Sequence, residues 1–140
     1  MNAEQFDIKI HAVEGGVTAA AGFKAAGIHT GFRKNPERLD YALVVPDKPC
    51  PGAGVFTTNR FCAAPVQVSR ANLGGADKGY GIIAGVSINS GNANAATGET
   101  GLACARETCN IASQVIGCEP QQILVASTGV IGQILPIDTF

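Results

Sequence analysis

The stretch YGIIAGVSINSGNANAATGETGLACARETCNIASQVIGCEPQQILVASTG, residues 80–129, decides the architecture. It opens on an apolar run, residues 80–89, that reads as a buried strand, and it closes on a second, Ile123 to Ala126, rich in β-branched side chains. Between them Leu102, Ala105, Cys109, Ala112 and Ile116 recur at steps of three and four, which is one apolar stripe on a helix. Arg106, Glu107, Asn110 and Gln114 fall off that stripe. Thr97 or Thr100 is placed to cap the helix start. Gly117 stands where a left-handed C-terminal residue is expected, and Glu119-Pro120 breaks the chain before the next strand.

Working outward, YALVVP (41–46) reads as a buried strand, GVFTT (54–58) as a second, and APVQVSR (64–70), with its period-2 alternation, as a third. Pro46, Pro49 and Pro51 mark the intervening DKPCPG as loop, and Asn35-Pro36-Glu37-Arg38 reads as a turn. The first thirty-five residues are dense in Gly and Ala, which suits hairpins, bulges and close backbone approach better than an isolated helix. Several strands, then a helix laid over them, then another strand predict an α+β or layered α/β domain, a single one over residues 1–140. Pro136 resembles a first-turn helical proline with Asp138 close behind, so the sequence stops as a new element begins and reads as a piece of a longer chain.

Composition narrows the function classes. A net charge of −1 offers no electrostatic case for nucleic acid or an anionic membrane surface. No run approaches the ~18 apolar residues of a membrane span. The start MNAEQFDIKIHAVEGG lacks the apolar core of a secretion signal, so a cytoplasmic protein is expected. Only 15% of residues are charged, which fits a domain that buries much of its surface, some of it against a partner. The five cysteines, Cys50, Cys62, Cys104, Cys109 and Cys118, form no C-x-x-C pair. They read as reduced thiols acting as small hydrophobes, with zinc or a disulfide framework as the alternative.

Few residues offer chemistry. His11 and His29 lie at no metal-ligand spacing from a Cys, Asp or Glu and read as structural or solvated. There is no G-x-S-x-G elbow. Gly22 and Gly27 have the first phosphate-loop spacing, but Ile28-His29 follows where Lys-Ser/Thr is needed. Gly52-Ala53-Gly54 lacks the third glycine of a dinucleotide fingerprint. Two polar clusters remain. INSGNANAATG (88–98), with Asn89, Ser90, Asn92 and Asn94, is either a hydrogen-bonded loop with an N-cap or a binding loop between strand and helix. Ser127-Thr128-Gly129 is either a plain turn at a strand end or a pair of donors, the Thr128 hydroxyl and the Gly129 N–H, able to form an oxyanion hole.

Taken together, GVFTTNRFCAAPV (54–66), INSGNANAATG (88–98) and ILVASTGVIG (123–132), in this order and spacing, resemble the N-terminal part of the ornithine acetyltransferase family, the ArgJ-type glutamate N-acetyltransferases of arginine biosynthesis. GFKAAGIHTGFRK (22–34) resembles that family's opening hairpin. The resemblance covers nearly the whole chain. It implies a DmpA/ArgJ-like α/β sandwich with an N-terminal-nucleophile-like active site, the fold shared with β-aminopeptidases. It also implies a precursor that cleaves itself into α and β chains, αβ heterodimers pairing into a heterotetramer, and a threonine at the start of the β chain as nucleophile. Acetyl would pass from N-acetylornithine to that threonine and on to glutamate; no cofactor is implied, though acetyl-CoA serves some members as donor. Thr128 and Gly129 match the family's oxyanion-hole motif. The cleavage block with the nucleophilic threonine has no match here, so the chain resembles a truncated α chain, expected to be inactive alone and to self-associate through an uncovered apolar edge. A β-aminopeptidase of the same fold, or a non-catalytic small-molecule-binding or assembly domain, are the competing readings.

Overall fold

The computed structural model describes residues 9–139. Strand β1 (Phe23–Ile28) pairs antiparallel with β2 (Tyr41–Pro46), Phe23 opposite Pro46 and Ile28 opposite Tyr41. A short strand β3 (Cys50–Ala53) follows, then helix α1 (Ala64–Asn72), strand β4 (Tyr80–Ile83), strand β5 (Gly85–Asn92), helix α2 (Gly98–Ile116) and strand β6 (Ile123–Val130). The main sheet has the order β1-β2-β5-β6, and β3 and β4 form a separate two-stranded antiparallel sheet. β2 and β5 are antiparallel, whereas β5 and β6 are parallel, in register from Gly85–Ile123 to Asn92–Val130. A parallel neighbour requires a long crossover, and α2 supplies it.

Both helices lie on one face of the main sheet. Ala64 and Val68 of α1 and Ala105, Cys109 and Ala112 of α2 meet Ile123 and Val125 of β6 in one buried cluster. Most of the expected stripe of α2 is there, with Leu102 and Ile116 half-buried at its ends and Cys104 buried beside it. Gly117 closes the helix at φ 81°, its N–H donating to the Ser113 carbonyl at 2.8 Å. The Asn35 turn is also present, the Arg38 N–H donating to the Asn35 carbonyl. Pro136 opens a short 3-10 turn, Ile137–Thr139. The result is the mixed α+β layering expected, with no α-helix on the opposite face of the sheet among the described residues.

Four assignments differ from expectation. APVQVSR is helix, not strand: Ala64, Pro65, Val68 and Ser69 are its buried residues, a set that only helical spacing brings onto one stripe, and Pro65 in the first turn favours a helix start. GVFTT is not a strand. Thr57 Oγ1 accepts from the Asn59 N–H and Asn59 Oδ1 from the Phe61 N–H, local bonds that compete with a ladder, and Val55 is fully exposed. The pairing strand is instead Cys50–Ala53, in what read as loop. The apolar run 80–89 is two strands. The chain leaves the small sheet at Ala84, whose N–H donates to the Gln122 carbonyl at 2.8 Å, and enters the main one at Gly85. β2 occupies its expected residues but is half-buried, because helices cover only one of its faces.

Candidate active site

The two polar clusters lie side by side at the C-terminal ends of β5 and β6. Strand pairing sets Asn89 beside Ser127, Ser90 beside Thr128 and Gly91 beside Gly129. Side chains alternate across a strand, so Ser127 points to the helix side and Thr128 to the helix-free side. β6 thus runs through the Ser-Thr-Gly motif to Val130 rather than stopping there.

Ser127 is absorbed by structure. Its hydroxyl lies against Asn89 Oδ1 and 2.9 Å from the Asn92 carbonyl, and can donate to one of them at a time. Asn89 Nδ2 donates to the same carbonyl at 2.7 Å. Asn92 Nδ2 reaches the Ile134 carbonyl and its Oδ1 receives the Asn94 N–H. Asn94, 1% exposed, donates from Nδ2 to the Gly101 carbonyl at 2.9 Å and accepts from Thr97 Oγ1 at 2.8 Å. Thr97 occupies the N-cap position of α2, yet its hydroxyl is spent on Asn94 and makes no cap bond; Thr100 lies inside the helix. A Cβ at Gly101 would sit 2.5 Å from Asn94 Oδ1, so glycine is required for this closure. Asn94 and Ala96 hold positive φ (43° and 57°), a strained conformation fixed by the surrounding bonds. Asn89, Asn92 and Asn94 therefore build the loop.

Thr128 and Gly129 behave differently. Thr128 is exposed, and its hydroxyl has no hydrogen-bond partner among the described residues. Gly129 adopts φ 129°, and a Cβ there would lie 2.3 Å from the Gly91 carbonyl carbon, so both the conformation and the space demand glycine. The adjoining Val130 and Ile131 are exposed apolar residues. A cavity of about 360 Å³ opens nearby, between Arg60, Phe61 and Gln67 on one side and Thr97, Glu99 and Ile131 on the other. All three of the sequence blocks that stand out, 54–66, 88–98 and 123–132, contribute to its wall.

Two residues that no sequence reading singled out organise the rim. Asp40, buried at the start of β2, accepts from the Thr30 N–H (2.7 Å), the Thr30 hydroxyl (3.0 Å) and the Arg33 N–H (2.8 Å). His29 Nδ1 lies 3.1 Å from its carboxylate, which gives that histidine the structural role expected. Burial alone would raise the Asp40 pKa; the donated hydrogen bonds and His29 outweigh it and hold the carboxyl below its ordinary value. The carboxylate thereby pins the loop between β1 and β2 so that Arg33 donates to the Ser90 hydroxyl. An Asp ahead of an apolar strand is too common to have flagged this. Burial pushes the Cys109 thiol up to about 11, against a partly compensating bond from Asn72, and it fills core space. Among the described residues no His, Cys, Asp or Glu cluster is arranged to hold a metal.

The sequence model of the ArgJ family matches residues 24–140. The chain belongs to the ArgJ family. It is 45% identical over 126 residues to the arginine biosynthesis bifunctional protein ArgJ of Dehalococcoides mccartyi, covering 89% of this chain and 30% of that one. Among solved structures it matches the ArgJ bifunctional protein of Bacillus halodurans with a TM-score of 0.80 at 37% identity, over 89% of this chain and 62% of that one. It matches ornithine acetyltransferase of Mycobacterium tuberculosis, solved in complex with ornithine, with a TM-score of 0.75 at 38% identity, over 89% and 64%. The chain therefore spans about 30% of the length of the ArgJ relatives it matches in sequence, and its mixed α+β fold is that of ArgJ crystal structures. No helix among the described residues is long and apolar enough to cross a membrane.

Proposed function

We propose that the chain is the N-terminal, α-chain part of a cytoplasmic acyltransferase that moves acetyl from N-acetylornithine to glutamate in arginine biosynthesis. The exposed Thr128 hydroxyl, without a partner among the described residues, beside the glycine-only backbone at Gly129 carries this reading. In it, Thr128 donates its O–H and Gly129 its N–H to the oxyanion that forms when a nucleophile attacks the acetyl carbonyl. The nucleophile is a threonine of a β chain, produced when the precursor cleaves itself. The reaction is ping-pong through an acetyl-threonine ester, with ornithine leaving before glutamate accepts the acetyl group.

The same reading makes the isolated chain inactive, because it holds the oxyanion donors without the nucleophile. The helix-free face of the main sheet, with Val44, Val86, Ile88 and Leu124 half-buried on it, is where the β chain and the rest of the α chain would pack, in αβ units that pair as a heterotetramer. Acetyl-CoA as an alternative donor is compatible with the same oxyanion hole, since it presents the same acyl carbonyl.

In the full-length protein, Thr128→Ala is expected to lower kcat by roughly 10²–10³ with little change in thermal stability. Wild-type turnover in that variant would end the oxyanion assignment. Assaying the same protein on a β-peptide separates acetyl transfer from aminopeptidase chemistry: release of amine without transfer to glutamate would favour the hydrolase.

A further inference from the structure

We propose that Arg33 is a substrate-binding residue of the acyl-transfer site, holding the α-carboxylate of the N-acetylated donor while its acetyl carbonyl meets Thr128 and Gly129. The proposal rests on the oxyanion reading of those two residues and extends it to substrate recognition.

Three observations converge on Arg33. The first is its position. Its side chain donates to the Ser90 hydroxyl, and Ser90 is the strand partner of Thr128 on the helix-free face. Its stem lies over Gly91, where an added Cβ would come within 3.2 Å of Arg33 Cγ, and Gly91 is the strand partner of Gly129. Arg33 therefore sits one strand away from both candidate oxyanion donors.

The second is its fixation. The Arg33 N–H is held at 2.8 Å by Asp40, a buried carboxylate that also takes two bonds from Thr30. The Arg33 backbone is thus held in place before any substrate binds, which is the preorganisation a recognition residue needs.

The third is its unused capacity. A guanidinium carries five donors. Ser90 takes one, and among the described residues Arg33 makes no ion pair. It is nevertheless half-buried. A partly desolvated guanidinium without an anion is best completed by a carboxylate, whose two oxygens match its fork.

The reach is right for one carboxylate in particular. Side chains of paired residues stand about 5 Å apart across a sheet. In an Nα-acetyl amino acid the acetyl carbon and the carboxylate carbon are separated as successive carbonyl carbons of a peptide are, by roughly 3.5 Å. An acetyl oxygen placed on Thr128 and Gly129 thus brings the α-carboxylate toward the next strand, where the guanidinium is. No bond is made or broken at Arg33; it orients the carbonyl for attack.

The experiment uses the full-length, self-processed protein and two donors, N-acetylornithine and N-acetylputrescine, which differ only in the α-carboxylate. In a ping-pong reaction kcat/KM for the donor reports the first half-reaction alone, so the glutamate step does not enter the comparison. Wild type is expected to prefer N-acetylornithine strongly. Arg33→Gln should lower kcat/KM for N-acetylornithine by about 10–100-fold, mainly through KM, and leave that for N-acetylputrescine nearly unchanged, so that the preference collapses. Arg33→Lys, which keeps the charge but not the fork, should recover part of it. The preference is a ratio within one preparation, so a partly folded variant does not distort it. An unchanged ratio in Arg33→Gln, or in Arg33→Lys should the Gln variant be inactive, would overturn the proposal and leave Arg33 a brace between loop and strand. Failure of the oxyanion reading shows separately, as wild-type turnover in Thr128→Ala.

Discussion

The loop at 89–97 and the strand end at 127–129 are both short, polar and flexed by glycine, and they lie against one another. They use their polar groups in opposite ways. In the loop, Asn89, Asn92, Asn94 and Thr97 bond to each other or to nearby carbonyls, and among the described residues no buried side-chain N or O is left without a partner. At the strand end, Ser127 joins that network while the hydroxyl of Thr128, one residue on and facing the other way, has no partner among the described residues. A polar residue whose capacity is consumed internally is scaffold; one held in place with capacity to spare is open to a ligand or to water.

That contrast is best attacked by mutating both sides of it in the full-length protein. Thr128→Ala removes a free group, so its effect belongs in kcat and not in the melting temperature. Asn94→Ala should do the reverse. It strands the Thr97 hydroxyl and the Gly101 carbonyl, costing about 2–3 kcal/mol, while kcat per folded molecule holds. Should calorimetry find Asn94→Ala as stable as wild type, the claim that the loop is scaffold collapses.

A smaller effect is expected at Asp40, which joins the two regions by holding Arg33. Asp40→Asn replaces a carboxylate that accepts three hydrogen bonds and should cost about 1–3 kcal/mol at neutral pH. Because the folded pKa lies below the unfolded one, near 3.9, the stabilisation is complete above that value and is lost as pH falls through the folded pKa. The gap between wild type and variant should therefore narrow below about pH 4; a gap constant down to pH 2 would mean that ionisation is not its source.

The smallest effect concerns the thiols. Cys109 is buried with its pKa near 11, whereas Cys62 is half-buried at the cavity wall. At pH 7 a thiol reagent should label Cys62 while Cys109 stays unmodified until denaturant is added, as mass spectrometry of the labelled peptides would report.

The same contrast separates what sequence conveyed from what it did not. Helix α2 was legible because its stripe is long, its stop is a glycine and Pro120 breaks the chain after it. The Ser-Thr-Gly and Asn-rich blocks were legible as candidates, although nothing local said which of their residues were spent. APVQVSR misled because its valines alternate as a strand's do, while the contacts that select helix come from α2 and β6. Asp40 and Arg33 were silent because their meaning lies in pairing across the fold: Asp40 reaches back to Thr30 and Arg33, and Arg33 reaches across to Ser90. The parallel pairing of β5 with β6 likewise appears only once α2 has carried the chain over the sheet.

The small β3–β4 sheet has a consequence for assembly. It is inserted between β2 and β5, with only residues 47–49 before it and Ala84 after it. Zipping β3 to β4 returns the growing chain to within a few residues of where it left the main sheet. The antiparallel β2–β5 pairing then closes across a pinched neck rather than a long floppy excursion, so much of the entropy of closing that loop is already lost when the small sheet forms. The insertion acts as a clasp: it shortens the effective loop that the pairing of the central strands β2 and β5 has to close.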